Sequence, residues 1–339
     1  MSWDKIQIET PAGEVVDAQA PVIISASRST DIPAFYADWF MHRLKEGYVK
    51  WKNPFNGVYL YVSFAKMRMV VFWSKNPKPM LPHLDYLDQQ KINYYFQFTL
   101  NDYDAEKLEP KVPSVESRID TFRELSERIG KDKIIWRFDP LILTSNMGVV
   151  ELLNKIENIG SNLMGYTNKF VFSFADIGLY KKVKANLSRS RVEYIEFDDK
   201  RMNELAKGIQ QLNRKWNFKI ATCAESIDLK KYDIDHNKCI DDDLMIELFP
   251  QDKALMNFLG VRIIPPDLLQ RTAIIEKTKN NKDKGQRLIC GCINSKDIGE
   301  YNTCPHLCEY CYANASKGQA LANWERHMDA PFRDTITGD

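Results

Sequence analysis

Apolar residues in this chain fall into short runs rich in β-branched and aromatic side chains, each ending in a polar stretch. That pattern predicts strands that exit into loops or helix starts. VIISASRSTD places a strand over 22–26 with its exit running to Asp31, and MVVFWSKNP, NYYFQFTLND, KIIWRFDPL, KFVFSFADIG, FKIATCAES and RLICGCINS repeat the design. The runs are almost continuously apolar, as in a sheet covered on both faces. Between them, residues 114–129 and 199–216 have helical periodicity, with Ser114 placed to cap the first. Strands alternating with helices imply βαβ units and a parallel sheet. The predicted fold class is α/β, a full or partial TIM-like (β/α) barrel, with polar strand exits gathered at one mouth.

Two segments stand apart from the alternation. Residues 1–20 form a polar lead-in, and 226–287 an insertion with a helix predicted over 242–259 and a charged end, EKTKNNKDKGQR. Residues 21–339 otherwise read as a single domain, since no Gly-, Ser- or Pro-rich linker divides them and no fixed-period repeat appears.

Composition narrows the function classes. Hydrophobic residues make up 44% and charged residues 27%, which excludes collagen-like, coiled-coil and disordered chains. With 47 basic and 46 acidic residues the net charge is +1, so no whole-protein field draws in nucleic acid or an anionic membrane. The opening MSWDKIQIET lacks a basic stretch followed by an apolar one. No run reaches the roughly 18–20 apolar residues that cross a bilayer. A cytoplasmic protein without a membrane partner is the expectation.

In that compartment the seven cysteines read as metal ligands or reactive thiols rather than disulfides. Five lie between Cys290 and Cys311, and Cys304, Cys308 and Cys311 form C-x3-C-x2-C within a loop over 295–312. A four-iron cluster held by three thiolates keeps one iron open for a ligand. The alternatives are zinc completed by His306, although a second ligand arm is not evident, or reduced thiols. His306 itself reads as a hydrogen-bonding residue of the loop.

The spacing, with aromatic Tyr310 directly before the third cysteine, resembles the signature of the radical S-adenosylmethionine enzymes. The resemblance implies a 4Fe–4S cluster on Cys304, Cys308 and Cys311 whose open iron chelates S-adenosylmethionine. One electron, from a reductant such as flavodoxin or ferredoxin, then gives methionine and a 5′-deoxyadenosyl radical that abstracts hydrogen from substrate. It further implies that Tyr310 lines the adenine site and that polar residues on middle strands contact the cofactor, here Arg137 and Ser74. The longer pattern CGC-x2-S-x-DIG-x-Y-x-TC-x-H-x-C-x-YCYAN, with RFDP at 137–140 and TCAE at 222–225, closely resembles a bacterial family of unknown function. In typical radical enzymes the motif follows the first strand; here it is C-terminal. That order implies a circularly permuted barrel, with RLICGCINS feeding the loop and YANASKGQALANWERH forming the next helix.

Four cysteines remain: Cys223, Cys239, Cys290 and Cys292. Four thiolates close a second 4Fe–4S cluster or a zinc site, and burial as small apolar residues is the alternative. Cys290 and Cys292, two apart on an expected strand, would face the same side. Strand exits add Arg28, Asp139, Asp176 and Glu225 as candidate catalytic groups, with Arg28 able to pair with Asp31 and Arg137 with Asp139. The basic run over 180–184 reads as a solvated helix face. The expected function is a radical S-adenosylmethionine enzyme acting on a small molecule, with repair or modification of a nucleic acid base as the second outcome of the same chemistry. The opposed class is a non-catalytic barrel with structural zinc or an electron-transfer cluster.

Overall fold

The computed structural model describes residues 3–264 and 274–338. At its centre is an eight-stranded sheet with every pairing parallel. In chain order the strands are β1 (Ile23–Ala26), β2 (Met69–Ser74), β3 (Asn93–Thr99), β4 (Ile134–Leu141), β5 (Lys169–Phe174), β6 (Lys219–Thr222), β7 (Ile234–His236) and β8 (Lys296–Asp297). β1 to β7 lie side by side in that order, and β8 returns to pair with β1. The α/β class with a parallel sheet follows from the alternation. The sheet is open, however: among the described residues no ladder joins β7 to β8. Both strands are very short, and the seam is spanned instead by Ile293 N–H donating to the Ile240 carbonyl at 3.1 Å.

The expected strand RLICGCINS is not one. Residues 287–295 run as turns with an isolated bridge from Ile293 to Lys282. Leu288 is 92% exposed while Cys290, Cys292 and Ile293 are buried in the inner core, a pattern set by the turns and not by the alternation of a strand. The place beside β1 is taken by Lys296–Asp297. Three side chains of β1 and its exit fix it there: the Asp297 carboxylate accepts from Ser25 Oγ (2.9 Å), Ser27 Oγ (2.8 Å) and Ser29 Oγ (3.0 Å). The chain then passes so close to Ser27 that a Cβ on Gly299 would lie 1.9 Å from its hydroxyl oxygen, which only glycine avoids.

Helices α1 (Val115–Ile129), α2 (Val149–Asn162) and α3 (Asp199–Trp216) connect the strands. Ser114 and Asp198 cap the first and third, accepting from Ser117 N and Arg201 N. The helix expected over 242–259 is two, α4 (Asp242–Leu248) and α5 (Lys253–Leu259). Pro250 cannot donate to the ladder, and Asp252 caps the restart through Leu255 N at 3.0 Å. Residues 265–273 of the insertion lie outside the described residues. The lead-in is structured: Lys5–Glu9 and Val15–Gln19 form a hairpin on the edge of a second sheet with Tyr59–Ser63 and Tyr48–Lys52.

Strand alternation divides the core in two. Val70, Phe72, Tyr94, Phe96, Trp136 and Phe170 point to one face, under the helices. There Trp136 stacks on Phe170 at 4.0 Å, and burying such a side chain contributes about 1.5–3 kcal/mol. Met69, Val71, Tyr95, Ile135 and Val171 point to the other face, where α4 and α5 cover them with Met245, Ile246, Leu255 and Leu259. Further along these same inner rows the residues turn polar, as period two requires of Ser25, Gln97, Arg137, Ser173 and Cys223. The inner face is therefore filled at the start of the strands and hollow at their ends.

Helix α2 packs on α3 through Gly160, where a Cβ would stand 2.5 Å from the Trp216 ring. Gly160→Ala is expected to lower stability by about 1–3 kcal/mol through overpacking, read as a reduced denaturation midpoint. An unchanged midpoint would mean that the indole swings aside without cost.

Candidate active site and its cysteines

The hollow end of the inner face is a cavity of about 610 Å³. Every one of the seven cysteines lines it, together with Arg28, Trp73, Ser74, Arg137, Asp139, Asp176, Glu225 and Tyr310. The predicted site residues thus come together because they leave neighbouring parallel strands at the same end. Of the basic run, Tyr180 and Val183 also line the cavity, but Lys181, Lys182 and Lys184 do not and are exposed, as a solvated face requires.

Cys304, Cys308 and Cys311 sit on a loop anchored at several points. Tyr36 donates its hydroxyl to the Thr303 carbonyl (2.5 Å), Asn314 Nδ2 donates to the Cys304 carbonyl (2.8 Å), and Glu309 N donates to Leu108 O (2.9 Å). His306 is committed to Asp31, ring Nε2 to carboxylate at 2.9 Å, and stacks edge-on against Phe35. It supports the loop and turns away from ligation. Burial pushes all three thiols above the ordinary cysteine range, and neighbouring like charges add to it at Cys304 and Cys308. A cation at their common face reverses that balance by drawing the protons off. Three sulfur donors from one compact loop fit a cluster with a free corner.

Tyr310 is rooted in a buried charge network. Its hydroxyl donates to Glu109 and accepts from Lys75 Nζ (2.9 Å) and Asn101 Nδ2 (2.9 Å). Lys75 Nζ lies 2.8 Å from Glu109 Oε1, and Arg118 Nη1 lies 3.3 Å from Oε2. Burial alone would raise the Glu109 pKa, but the two cations hold its carboxyl below the usual carboxylate range. Lys75 carries its charge against burial because Glu109 and Cys308 face it. Sequence reading singled out Ser74 and passed over Lys75, Asn101, Glu109 and Arg118. Glu109 lies in a loop and Arg118 inside an amphipathic helix, so no periodic or motif signal pointed to either.

Helix α6 (Lys317–Asp329) follows the loop, capped by Ser316, which accepts from Gln319 N. It begins five residues into the expected YANASKGQALANWERH stretch, and Arg326 and His327 in its last turn suit the helix dipole.

Arg28 does not pair with Asp31. Asp31 is occupied by His306, by Lys75 N (2.7 Å) and by capping Ala34 N (3.1 Å). Arg28 instead donates its backbone N–H to Asp297 (2.8 Å) and a guanidinium nitrogen to Ser295 (3.3 Å). Arg137 does pair with Asp139, whose carboxylate also accepts from Ser173. The two guanidiniums lie 5.7 and 5.3 Å from the Trp73 ring centroid, an aromatic surface between two cations. Ser74 Oγ accepts from Asn76 N (2.9 Å), a local turn bond. Asp176 faces Arg287 at 3.6 Å. Glu225 accepts from Phe174 N (2.8 Å). Burial, with Asp176 and Asp139 nearby, pushes its carboxyl up to about 8.

The other four sulfurs lie together as well. Cys223 Sγ and Cys239 Sγ are 3.3 Å apart, and Cys239 N donates to Cys292 Sγ at 3.2 Å. Cys290 and Cys292 reach this group from the turn that precedes β8, rather than from a shared strand face. Among the described residues only Asp241, Asp242 and Asp243 bring three ligating atoms within 4.8 Å of one another. Neither cysteine set is drawn in as tightly as a tetrahedral zinc site, where Zn–S bonds of about 2.3 Å put the sulfurs about 3.8 Å apart.

Glu109→Ala leaves Lys75 buried without its counter-charge and Arg118 with only Asp104, at 3.8 Å, and is expected to cost about 3–5 kcal/mol. Chemical denaturation of the metal-free protein measures it. A loss below 1 kcal/mol would show that water or a rearranged side chain replaces the carboxylate.

No curated protein and no solved structure matches the chain. Residues 23–313, a span that holds all seven cysteines and the whole eight-stranded sheet, match the family described as Domain of unknown function (DUF1848). With most of its length matched, the chain belongs to that family.

Proposed function

We propose that the protein is a radical S-adenosylmethionine enzyme whose scaffold is a permuted partial barrel. The observation that carries the reading is that the C-x3-C-x2-C loop presents Cys304, Cys308 and Cys311 to the cavity at the strand ends, where parallel α/β sheets place their chemistry. These three residues would hold a 4Fe–4S cluster. When bound and reduced by a donor such as flavodoxin or ferredoxin, such a group would supply the electron for reductive cleavage of S-adenosylmethionine. The permutation accounts for the order of the chain: β8, the strand that leads into the cluster loop, stands beside β1 although it comes last in sequence.

The chain's own residues bind, orient and exclude water. Lys75 and Glu109 hold the Tyr310 hydroxyl, so its ring is fixed at the cavity wall for stacking or edge contact with a purine. Arg28 and Arg137, held over Trp73, give a cationic wall for the carboxylate of an amino acid or of substrate. Glu225, with its carboxyl up to about 8, holds a proton at neutral pH and can donate a hydrogen bond or proton to substrate. Asp139 is engaged by Arg137 and Ser173, which makes it a positioning group for Arg137. A cavity of about 610 Å³ suits a small molecule beside the cofactor. The near-zero net charge gives no field for a long nucleic acid.

The protein purified without oxygen, reconstituted with iron and sulfide and reduced with dithionite is expected to convert S-adenosylmethionine into equal amounts of 5′-deoxyadenosine and methionine, quantified by mass spectrometry. Cys308→Ala should reduce deoxyadenosine at least a hundredfold. A reduced, cluster-loaded wild-type protein that leaves S-adenosylmethionine intact would refute the reading.

A further inference from the structure

We propose that Cys223, Cys239, Cys290 and Cys292 hold a second iron–sulfur cluster, and that this cluster clasps the open seam of the sheet. Chain position is the first ground. Cys223 directly follows β6, Cys239 lies three residues past β7, and Cys290 and Cys292 precede β8. The four therefore come from the two ends of the sheet, where backbone pairing among the described residues is reduced to the contact between Ile293 and Ile240. A cluster bonded to all four joins covalently what hydrogen bonds hardly join.

The second ground is the set of donors aimed at sulfur. Cys239 Sγ receives Arg137 Nη1 at 3.1 Å and Asn237 Nδ2 at 3.2 Å. Cys292 Sγ receives Cys239 N at 3.2 Å and Ile240 N at 3.5 Å. A neutral thiol is a weak acceptor, and a buried arginine has little reason to face one. Thiolates bound to iron carry negative charge, and hydrogen bonds to their sulfurs help set cluster potentials. Arg28 adds a second buried cation facing Cys292 and Cys239, and its Nε has no acceptor among the described residues.

The third ground is the backbone that delivers the thiols. Gly291, between Cys290 and Cys292, lies against Lys238, where a Cβ would stand 2.9 Å from its side chain. The turn before β8 and the segment after β7 are thus pressed together at the cysteines. The sulfurs form an extended group: Cys223 and Cys239 are 3.3 Å apart, but among the described residues no three of the four lie within 4.8 Å of one another, so they do not gather around a single zinc ion and leave room for a multi-iron core.

The test separates this site from the first. Cys304→Ala/Cys308→Ala/Cys311→Ala, purified without oxygen and reconstituted, is expected to keep iron and acid-labile sulfide in equal amounts with visible charge-transfer absorption. Cys290→Ser/Cys292→Ser should lose that share of iron. In the same double variant, hydrogen exchange at the Ile240 and Ile293 amides should rise at least tenfold, while β4 amides stay protected, which also shows that the variant is folded. Absence of iron from the triple variant, zinc in its place, or a Cys223–Cys239 disulfide in the anaerobic protein would each overturn the proposal. None of those results depends on whether the wild type cleaves S-adenosylmethionine, so the two readings fail separately.

Discussion

The docking of a two-residue strand decides where the chemistry of this protein lies. Asp297 accepts from three serines of β1 and its exit, from Arg28 N and from Gly299 N. A carboxylate satisfied by five donors is worth far more than the two ladder positions of Lys296–Asp297, because charge-assisted bonds are roughly twice as strong as neutral ones. This interaction carries the end of the chain back to its beginning and sets the cysteine loop over the ends of the strands. Without it, C-x3-C-x2-C would be a motif on a tail.

Buried charge follows from the same placement. Lys75 and Arg118 face Glu109, Tyr310 and the three-cysteine loop. Arg28 and Arg137 face the four-cysteine group. Each cysteine set thus has cations of its own, although the chain as a whole is almost neutral, with a net charge of +1. Burying cations costs several kcal/mol apiece unless they are compensated, so their position beside sulfur is specific. Aromatic packing in the outer layer, where Phe72, Phe96, Trp136 and Phe170 stack, supplies the stability against which those costs are set.

Much of the scaffold was legible in the sequence because its signals are local. The six longer apolar runs are strands, and α1 and α3 begin at the caps that Ser114 and Asp198 provide. What sequence reading missed is short or depends on contact. β7 and β8, with three and two residues, carry no period to detect. RLICGCINS has a strand's composition but makes only an isolated bridge to Lys282, since Lys296–Asp297 takes the edge of β1. Pro250 divides a helix that periodicity alone would continue. In the site, the strand-exit rule collects Arg28, Arg137, Asp139, Asp176 and Glu225. It does not reveal that Asp31 holds His306 rather than Arg28, nor that Glu109 supports Tyr310, because those pairings join residues about two hundred positions apart or more.

The central claim is that one cavity holds two separate thiolate-bound iron centres. Anomalous diffraction at the iron absorption edge, from crystals of the anaerobically reconstituted protein, tests it most directly. The account predicts two resolved iron peaks, one at Cys304, Cys308 and Cys311 and the other at Cys223, Cys239, Cys290 and Cys292. A single peak, or a signal at the zinc edge at either position, would contradict it.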